Sequence, residues 1–251
     1  MKILVSGLCG HMGNEVAKLA LENYRGAELV GGVDIHADDT TVVPCVRSYD
    51  DAPKDFAAVD CIVDFSHHSS VHDLLTYARK NKISVVVATT GHTEEEKAEI
   101  LAASQEIPVF FSANMSLGIA LLVELAKKTA AAMPDAEIEI IEKHHDRKLD
   151  APSGTALMLA DAIREVRPDS YPVTGRSGHG KRTPEEIGIH AIRMGNIVGE
   201  HEVIVGTQNQ TITLKHEAHS RALFAEGALA AAEYLIGKPA GLYDMKSMVE
   251  G

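Results

Sequence analysis

Residues 2–34 read KILVSGLCGHMGNEVAKLALENYRGAELVGGVD, and the parsing of this stretch decides the fold. The apolar run at 2–6 predicts a strand, residues 11–23 carry the spacing of an amphipathic helix, and the apolar run at 27–33 predicts a second strand. Strand, helix and strand in succession form a βαβ unit, the crossover that parallel strands require. Between the first strand and the helix lies Gly7-Leu8-Cys9-Gly10-His11-Met12-Gly13, a GxxGxxG loop. Glycines at such a loop let backbone N–H groups approach a pyrophosphate held at a helix N-terminus. Asp34 ends the second strand about 20 residues after the last glycine, where a carboxylate accepts hydrogen bonds from adenosine ribose hydroxyls. The blander readings are a tight turn for the loop and a solvated strand-end carboxylate for Asp34. Asp34 also repels a 2′-phosphate, and Ile35 and His36 bring no arginine to reverse that preference. NADH is therefore the expected cofactor and NADPH the alternative, with His36 as a weak phosphate partner.

The same alternation continues. Strands are expected at 61–65, 83–89 and 108–112, and helices at 69–81 and 94–105, the latter opened by a capping box of Thr93 and Glu96. Near-continuous apolar strands separated by helices predict a parallel sheet covered on both faces. Ligands of such sheets sit outside the carboxyl ends of the strands, which singles out Phe65-Ser66 and Thr89-Thr90-Gly91. After a helix beginning near Met115 the pattern changes to a strand at 137–141, a helix at 154–166, a glycine-rich loop at 174–181 and strand-like runs at 187–194, 198–206 and 210–217. Short connections between those runs predict an antiparallel meander. A last helix near 221–236 returns to the first half. The expected class is α/β: a Rossmann-like dinucleotide-binding domain of residues 1–116 and 221–251, and an α+β domain of residues 117–220 with a mostly antiparallel or mixed sheet, hinged near 114–117 and 219–222.

Composition narrows the function. A net charge of −12 over 251 residues, with no cluster of lysine or arginine, argues against a nucleic-acid partner. No apolar run approaches the roughly 20 residues of a membrane span, and MKILVSG reads as a strand rather than a leader, so a cytoplasmic location is expected. Cys9, Cys45 and Cys61 lack CxxC spacing and are expected as reduced thiols, with no metal site.

Residues 142–156, EKHHDRKLDAPSGTA, place a histidine pair and a lysine between a strand end and a proline-marked helix start. A metal site is disfavoured, because adjacent histidines in an extended segment point to opposite sides. A solvated loop remains open, since Glu142, Asp146 and Asp150 balance Lys143, Arg147 and Lys148. A pocket for an anionic substrate is favoured by the order of the groups: a histidine that can carry a proton, a lysine, then helix N–H donors and a threonine hydroxyl.

The run His144-His145-Asp146-Arg147-Lys148-Leu149-Asp150-Ala151-Pro152-Ser153-Gly154-Thr155-Ala156 resembles the HHxxKxDxPSGTA signature of the 4-hydroxy-tetrahydrodipicolinate (dihydrodipicolinate) reductase family at every fixed position. The likeness extends along the chain through the glycine loop, Thr89-Thr90-Gly91, Ala113-Asn114-Met115-Ser116, RMGNIVGEH at 193–201, and Ser220-Arg221. It implies NAD(P)H-dependent reduction of 4-hydroxy-tetrahydrodipicolinate to tetrahydrodipicolinate with loss of water, in diaminopimelate and lysine biosynthesis. It implies further that His144 is the acid and Lys148 its partner, and that His145, Lys148, Gly154 and Thr155 hold the substrate carboxylates. Gly7, Gly10, His11, Met12 and Gly13 would line the pyrophosphate, Asp34 the ribose, and Phe65, Thr89, Thr90, Gly91, Ala113, Asn114 and Met115 the nicotinamide side. A homotetramer built by the second domain also follows from the likeness. Two positions depart from it: His11 stands where the family usually has arginine, and His68 where it often has proline. The competing functions are another two-domain dehydrogenase of the aspartate or homoserine type, and a pyridine-nucleotide sensor without turnover.

Overall fold

The computed structural model describes residues 1–38, 41 and 43–250. The chain divides into two compact units, Met1–Ser116 with Ala222–Gly251, and Leu117–Arg221.

The first unit is built on a seven-stranded sheet whose neighbouring strands are all parallel. Its strands are β1 (Lys2–Ser6), β2 (Glu28–Val33), β3 (Cys45–Val46), β4 (Cys61–Asp64), β5 (Ser84–Val87), β6 (Pro108–Phe111) and a late addition, β12 (Gly241–Tyr243). Their order is β12-β6-β5-β4-β1-β2-β3, so the chain runs outward from β1 and then back across it. Helices α1 (His11–Leu21), α2 (Val71–Asn81) and α3 (Glu94–Ala103) follow β1, β4 and β5, and α6 (Ala222–Leu235) closes the unit. Alternation along each strand feeds two layers. Leu4, Ile62, Val85, Val87 and Val109 pack with Leu74, Leu75 and Ala78 of α2 and Ile100 and Ala103 of α3. The alanine run of α6 is buried from Ala228 to Ala232, and Phe110 on the sheet meets Tyr234 of α6 edge to face. The expected capping box is present: Thr93 Oγ1 accepts Glu96 N–H and Glu96 Oε2 accepts Thr93 N–H. β3, β12 and the short C-terminal helix α7 (Met245–Glu250) carried no signal, being too short for any period to show.

The second unit is a five-stranded sheet with two helices on one face. Strands β7 (Glu137–His144), β8 (Tyr171–Thr174), β9 (Glu186–Arg193), β10 (Gly199–Gly206) and β11 (Thr211–Ala218) take the order β11-β10-β7-β9-β8. Ile138, Ile140, Ile187, Ile189, Val203 and Val205 point from this sheet into a core shared with α4 (Leu117–Ala132) and α5 (Gly154–Val166). The expected meander is corrected here. β9 lies beside β7 and parallel to it, while β10 lies on the other side of β7 and antiparallel. Residues 194–198 therefore step over the end of β7 instead of turning back on β9. Two strand spacings, about 10 Å, are within reach of a loop of that length. The step is laced down by Met194 N–H to His144 O (2.9 Å), His145 N–H to Ile197 O (2.8 Å) and Asp146 N–H to Gly195 O (3.2 Å). β10 and β11 do form an antiparallel hairpin, so the sheet is mixed.

Candidate active site

In the first unit the glycine loop is shaped by close approaches. Gly7 adopts φ +80°, and a Cβ there would lie 2.6 Å from the Phe65 carbonyl oxygen at the end of β4. A Cβ at Gly13 would lie 2.0 Å from the Gly7 oxygen, so the first turn of α1 can press against the loop only because that residue has no side chain. Gly10 is the N-cap of α1 and offers no side-chain cap, which leaves the opening N–H groups of the helix for an anion. Asp34 is fixed by Cys9 N–H (2.9 Å to Oδ2) and by His36 N–H (2.8 Å to Oδ1). Each carboxylate oxygen keeps a second lone pair for a ribose hydroxyl.

Two clefts run along the carboxyl edge of the sheet and share Phe65, Ser66 and His67. One is lined by Gly7, Gly10, Asp34, His36 and Arg47, the other by His11, Met12, Thr89, Thr90, Ala113 and Met115. Of the expected cofactor residues, Gly13, Gly91 and Asn114 line neither. Gly13 acts by packing, Gly91 (φ +86°) is an exposed turn, and Asn114 Oδ1 caps the N–H of Ser116. Two further residues shape this region. Asp64, buried at the end of β4, accepts Ser66 Oγ–H at 2.5 Å and Thr89 Oγ1–H at 2.6 Å and so ties two cleft-lining residues together. Burial pushes its carboxyl up, against the pull of those hydroxyls. Arg47 brings a guanidinium to the Asp34 cleft from 13 residues along the chain, where no local motif marks it; its Nε–H donates to Ala37 O at 3.2 Å. The glycine cradle, the uncapped helix start and Asp34 fit a dinucleotide.

In the second unit the site is the end of β7 and the start of α5. Glu142 and His144 are two residues apart on one strand and so share a face. Glu142 is fully buried and accepts four hydrogen bonds: His144 Nδ1–H (2.6 Å) and Arg193 Nη1–H (2.8 Å) at Oε2, Ser153 N–H (3.0 Å) and Arg193 Nη2–H (2.8 Å) at Oε1. Burial alone would raise its carboxyl, but Arg193, His144 and the Ser153 N–H outweigh it and hold the group below the usual range. Arg193 also donates to Asp150 O at 2.6 Å and thereby pins the loop that carries Lys148. Across β10, His201 is the register partner of Glu142, with Nε2 3.1 Å from Ser153 Oγ and its ring 5.2 Å from that of His144. Burial and the neighbouring His144 bring His201 down to about 4, so it is neutral at ordinary pH.

Ser153 caps α5, its Oγ accepting Ala156 N–H at 3.3 Å. Gly154 and Thr155 thus hold the first two helical positions, ahead of the point where bonding from N–H to the carbonyl four residues back begins. A Cβ at Gly154 would meet no protein atom within 4 Å, so the missing side chain clears the approach to that helix end rather than relieving a contact. Lys148 Nζ lies 2.8 Å from Asp150 Oδ1. His145 follows the strand end; burial followed by the charge of Arg147 keeps its imidazole on the neutral side, and its Nδ1 has no partner among the described residues. His144, Lys148, Gly154 and Thr155 thus fall on one strand end, one loop and one helix start, joined by Glu142. Glu142, Arg193 and His201 stand at charge-bearing positions of quoted motifs, yet their convergence depends on the β9–β7–β10 order that a meander would not give.

Residues 1–115 match the model of dihydrodipicolinate reductase, N-terminus, and residues 118–249 that of dihydrodipicolinate reductase, C-terminus. A 4-hydroxy-tetrahydrodipicolinate reductase of Caldanaerobacter subterraneus subsp. tengcongensis is 48% identical over 252 residues, spanning 100% of this chain and 98% of that protein. A dipicolinate-bound dihydrodipicolinate reductase from Paenisporosarcina sp. TG-14 superposes with a TM-score of 0.81 at 26% identity over 97% of each chain. An aspartate dehydrogenase from Thermotoga maritima, at 13% identity and a TM-score of 0.51 over 95% of this chain and 97% of that one, shares the fold alone.

Proposed function

The chain belongs to the dihydrodipicolinate reductase family, and we propose how its own residues divide the work. The reaction is the NAD(P)H-dependent reduction of 4-hydroxy-tetrahydrodipicolinate to tetrahydrodipicolinate with loss of water, a step of diaminopimelate and lysine biosynthesis. The bound nicotinamide supplies the hydride. The dehydrated substrate carries a carbon–carbon double bond conjugated to an imine, so one proton must accompany the hydride, and we assign it to His144.

The observation that carries this assignment is the Glu142-anchored His144 ring at the head of α5. Glu142 holds Nδ1, which leaves Nε2 to give the proton. The opening N–H groups of α5 at Gly154 and Thr155 meet one substrate carboxylate, and Lys148 with His145 meets the other. Lys148 is a point charge on a flexible stem, and its Asp150 partner at 2.8 Å keeps it oriented until a substrate carboxylate competes for it. In the first unit Gly7, Gly10, His11 and Met12 cradle the pyrophosphate, with Gly13 packed beneath the loop, and Asp34 takes the ribose. Phe65, Thr89, Thr90, Ala113 and Met115 line the nicotinamide cleft.

Asp34 favours NADH. Arg47, in the same cleft, supplies the cation that Ile35 and His36 do not, and admits NADPH as the second cofactor. We further propose a cytoplasmic homotetramer assembled through the second unit, whose strand face away from α4 and α5 presents Glu139, Ile141, Lys143, Glu202 and Ile204.

The test is to generate the unstable substrate in situ with the preceding synthase, from pyruvate and aspartate semialdehyde, and follow oxidation of NADH and of NADPH. Oxidation of both, NADH the more efficiently, is expected; oxidation of neither would overturn the proposal.

A further inference from the structure

We infer that Glu142 is the positioning residue of proton delivery: it fixes the His144 tautomer whose Nε2 carries the proton, and it ties that ring to the helix start that receives the substrate. The inference rests on His144 being the acid.

One carboxylate makes both connections, with His144 Nδ1 on one oxygen at 2.6 Å and Ser153 N–H on the other at 3.0 Å. Arg193 bridges the two oxygens with 2.8 Å bonds and keeps the carboxylate from turning. The far side of the ring is cleared by Gly199, where a Cβ would lie 3.2 Å from Nε2. A charged acceptor on Nδ1 selects the Nδ1–H tautomer of an imidazole once the Nε2 proton has left.

The charged and titratable groups about the ring are Glu142 on its own strand, Arg193 on β9, His201 on β10, and His145, Lys148 and Asp150 in the loop that follows. Arg193 is already engaged with Glu142, His201 is neutral, and Lys148 is paired with Asp150. Glu142 is therefore the group that holds Nδ1.

The direct measurement is ¹⁵N NMR of the full chain labelled at histidine, with the His144 resonances identified by their loss in His144→Gln. The expected neutral form has its proton on Nδ1 and a bare Nε2; a neutral form protonated on Nε2 would overturn the inference. In Glu142→Gln, turnover should fall about 10- to 100-fold, as for other residues that orient a reacting group. NADH affinity should be unchanged, and the neutral His144 imidazole should no longer hold its proton on Nδ1 alone. A lower melting temperature with the Nδ1–H tautomer kept would reduce Glu142 to an ion-pair partner and overturn the inference. The double variant Glu142→Gln/Arg193→Gln, which leaves no unpaired charge, should show the same loss of the single tautomer if the single variant does not fold. Full turnover in His144→Gln would instead sink the assignment of the acid, so the two failures are distinguishable.

Discussion

Arg193 and Glu142 form a two-point ion pair across parallel strands β9 and β7, each nitrogen 2.8 Å from its own carboxylate oxygen, with the glutamate fully buried. A buried pair of this kind adds little over an apolar one of the same shape, but losing one partner strands the other charge. Arg193→Ala should therefore lower the unfolding free energy by about 3–5 kcal/mol, read by urea denaturation. A loss below about 1 kcal/mol would mean that water reaches Glu142 when the guanidinium is gone.

Gly13 tolerates no side chain, because the Gly7 oxygen stands 2.0 Å from where its Cβ would be. Gly13→Ala should cost about 1–3 kcal/mol through forced backbone movement and weaken NADH binding as the loop shifts. Gly154→Ala has no such clash, so it should leave stability within about 0.5 kcal/mol and raise KM for the dicarboxylate substrate. Thermal denaturation and the coupled assay separate the two glycines.

Asp34 and Arg47 line one cleft with opposite charge, and each should govern one cofactor. Arg47→Ala should weaken NADPH binding about tenfold, the worth of one charge-assisted hydrogen bond, and leave NADH within twofold. Asp34→Ala should do the reverse by removing the ribose acceptor. Dissociation constants from nicotinamide fluorescence check both.

His201 predicts a weakness toward acid. Its imidazole titrates near 4 in the folded chain against an ordinary 6.5, so between those values the unfolded chain binds a proton that the folded chain refuses. Stability then falls as pH drops through that window, by on the order of 3 kcal/mol at its lower end. The depressed Glu142 carboxyl adds a further loss that begins below the ordinary 4.5 of the unfolded chain and is complete once the folded carboxyl is protonated. His201→Gln, which can keep the bond to Ser153 Oγ, should flatten the upper part of this decline in urea titrations run from pH 7 to pH 4.

Much of this was legible in residues 2–34, 93–96 and 142–156. The βαβ unit, the glycine loop, Asp34, the Thr93 capping box and the helix from Gly154 each rest on a local rule, where spacing or a cap acts within a few residues. What was not legible depends on strand order. The step over β7 places β9 and β10 on either side of it, and only then do Arg193 and His201 reach Glu142. A glutamate two residues before a histidine reads as surface charge until that neighbourhood exists. Arg47 is likewise silent in the sequence, since β3 is two residues long and carries no period.

The role proposed for His144 is to give the proton while taking no part in holding the cofactor. The most direct measurement is His144→Gln, with steady-state turnover at saturating substrate set beside the NADH dissociation constant. Turnover should fall about 100-fold or more, the usual worth of a general acid, while the dissociation constant stays within twofold. Turnover that survives at saturation while NADH binding collapses would contradict the claim.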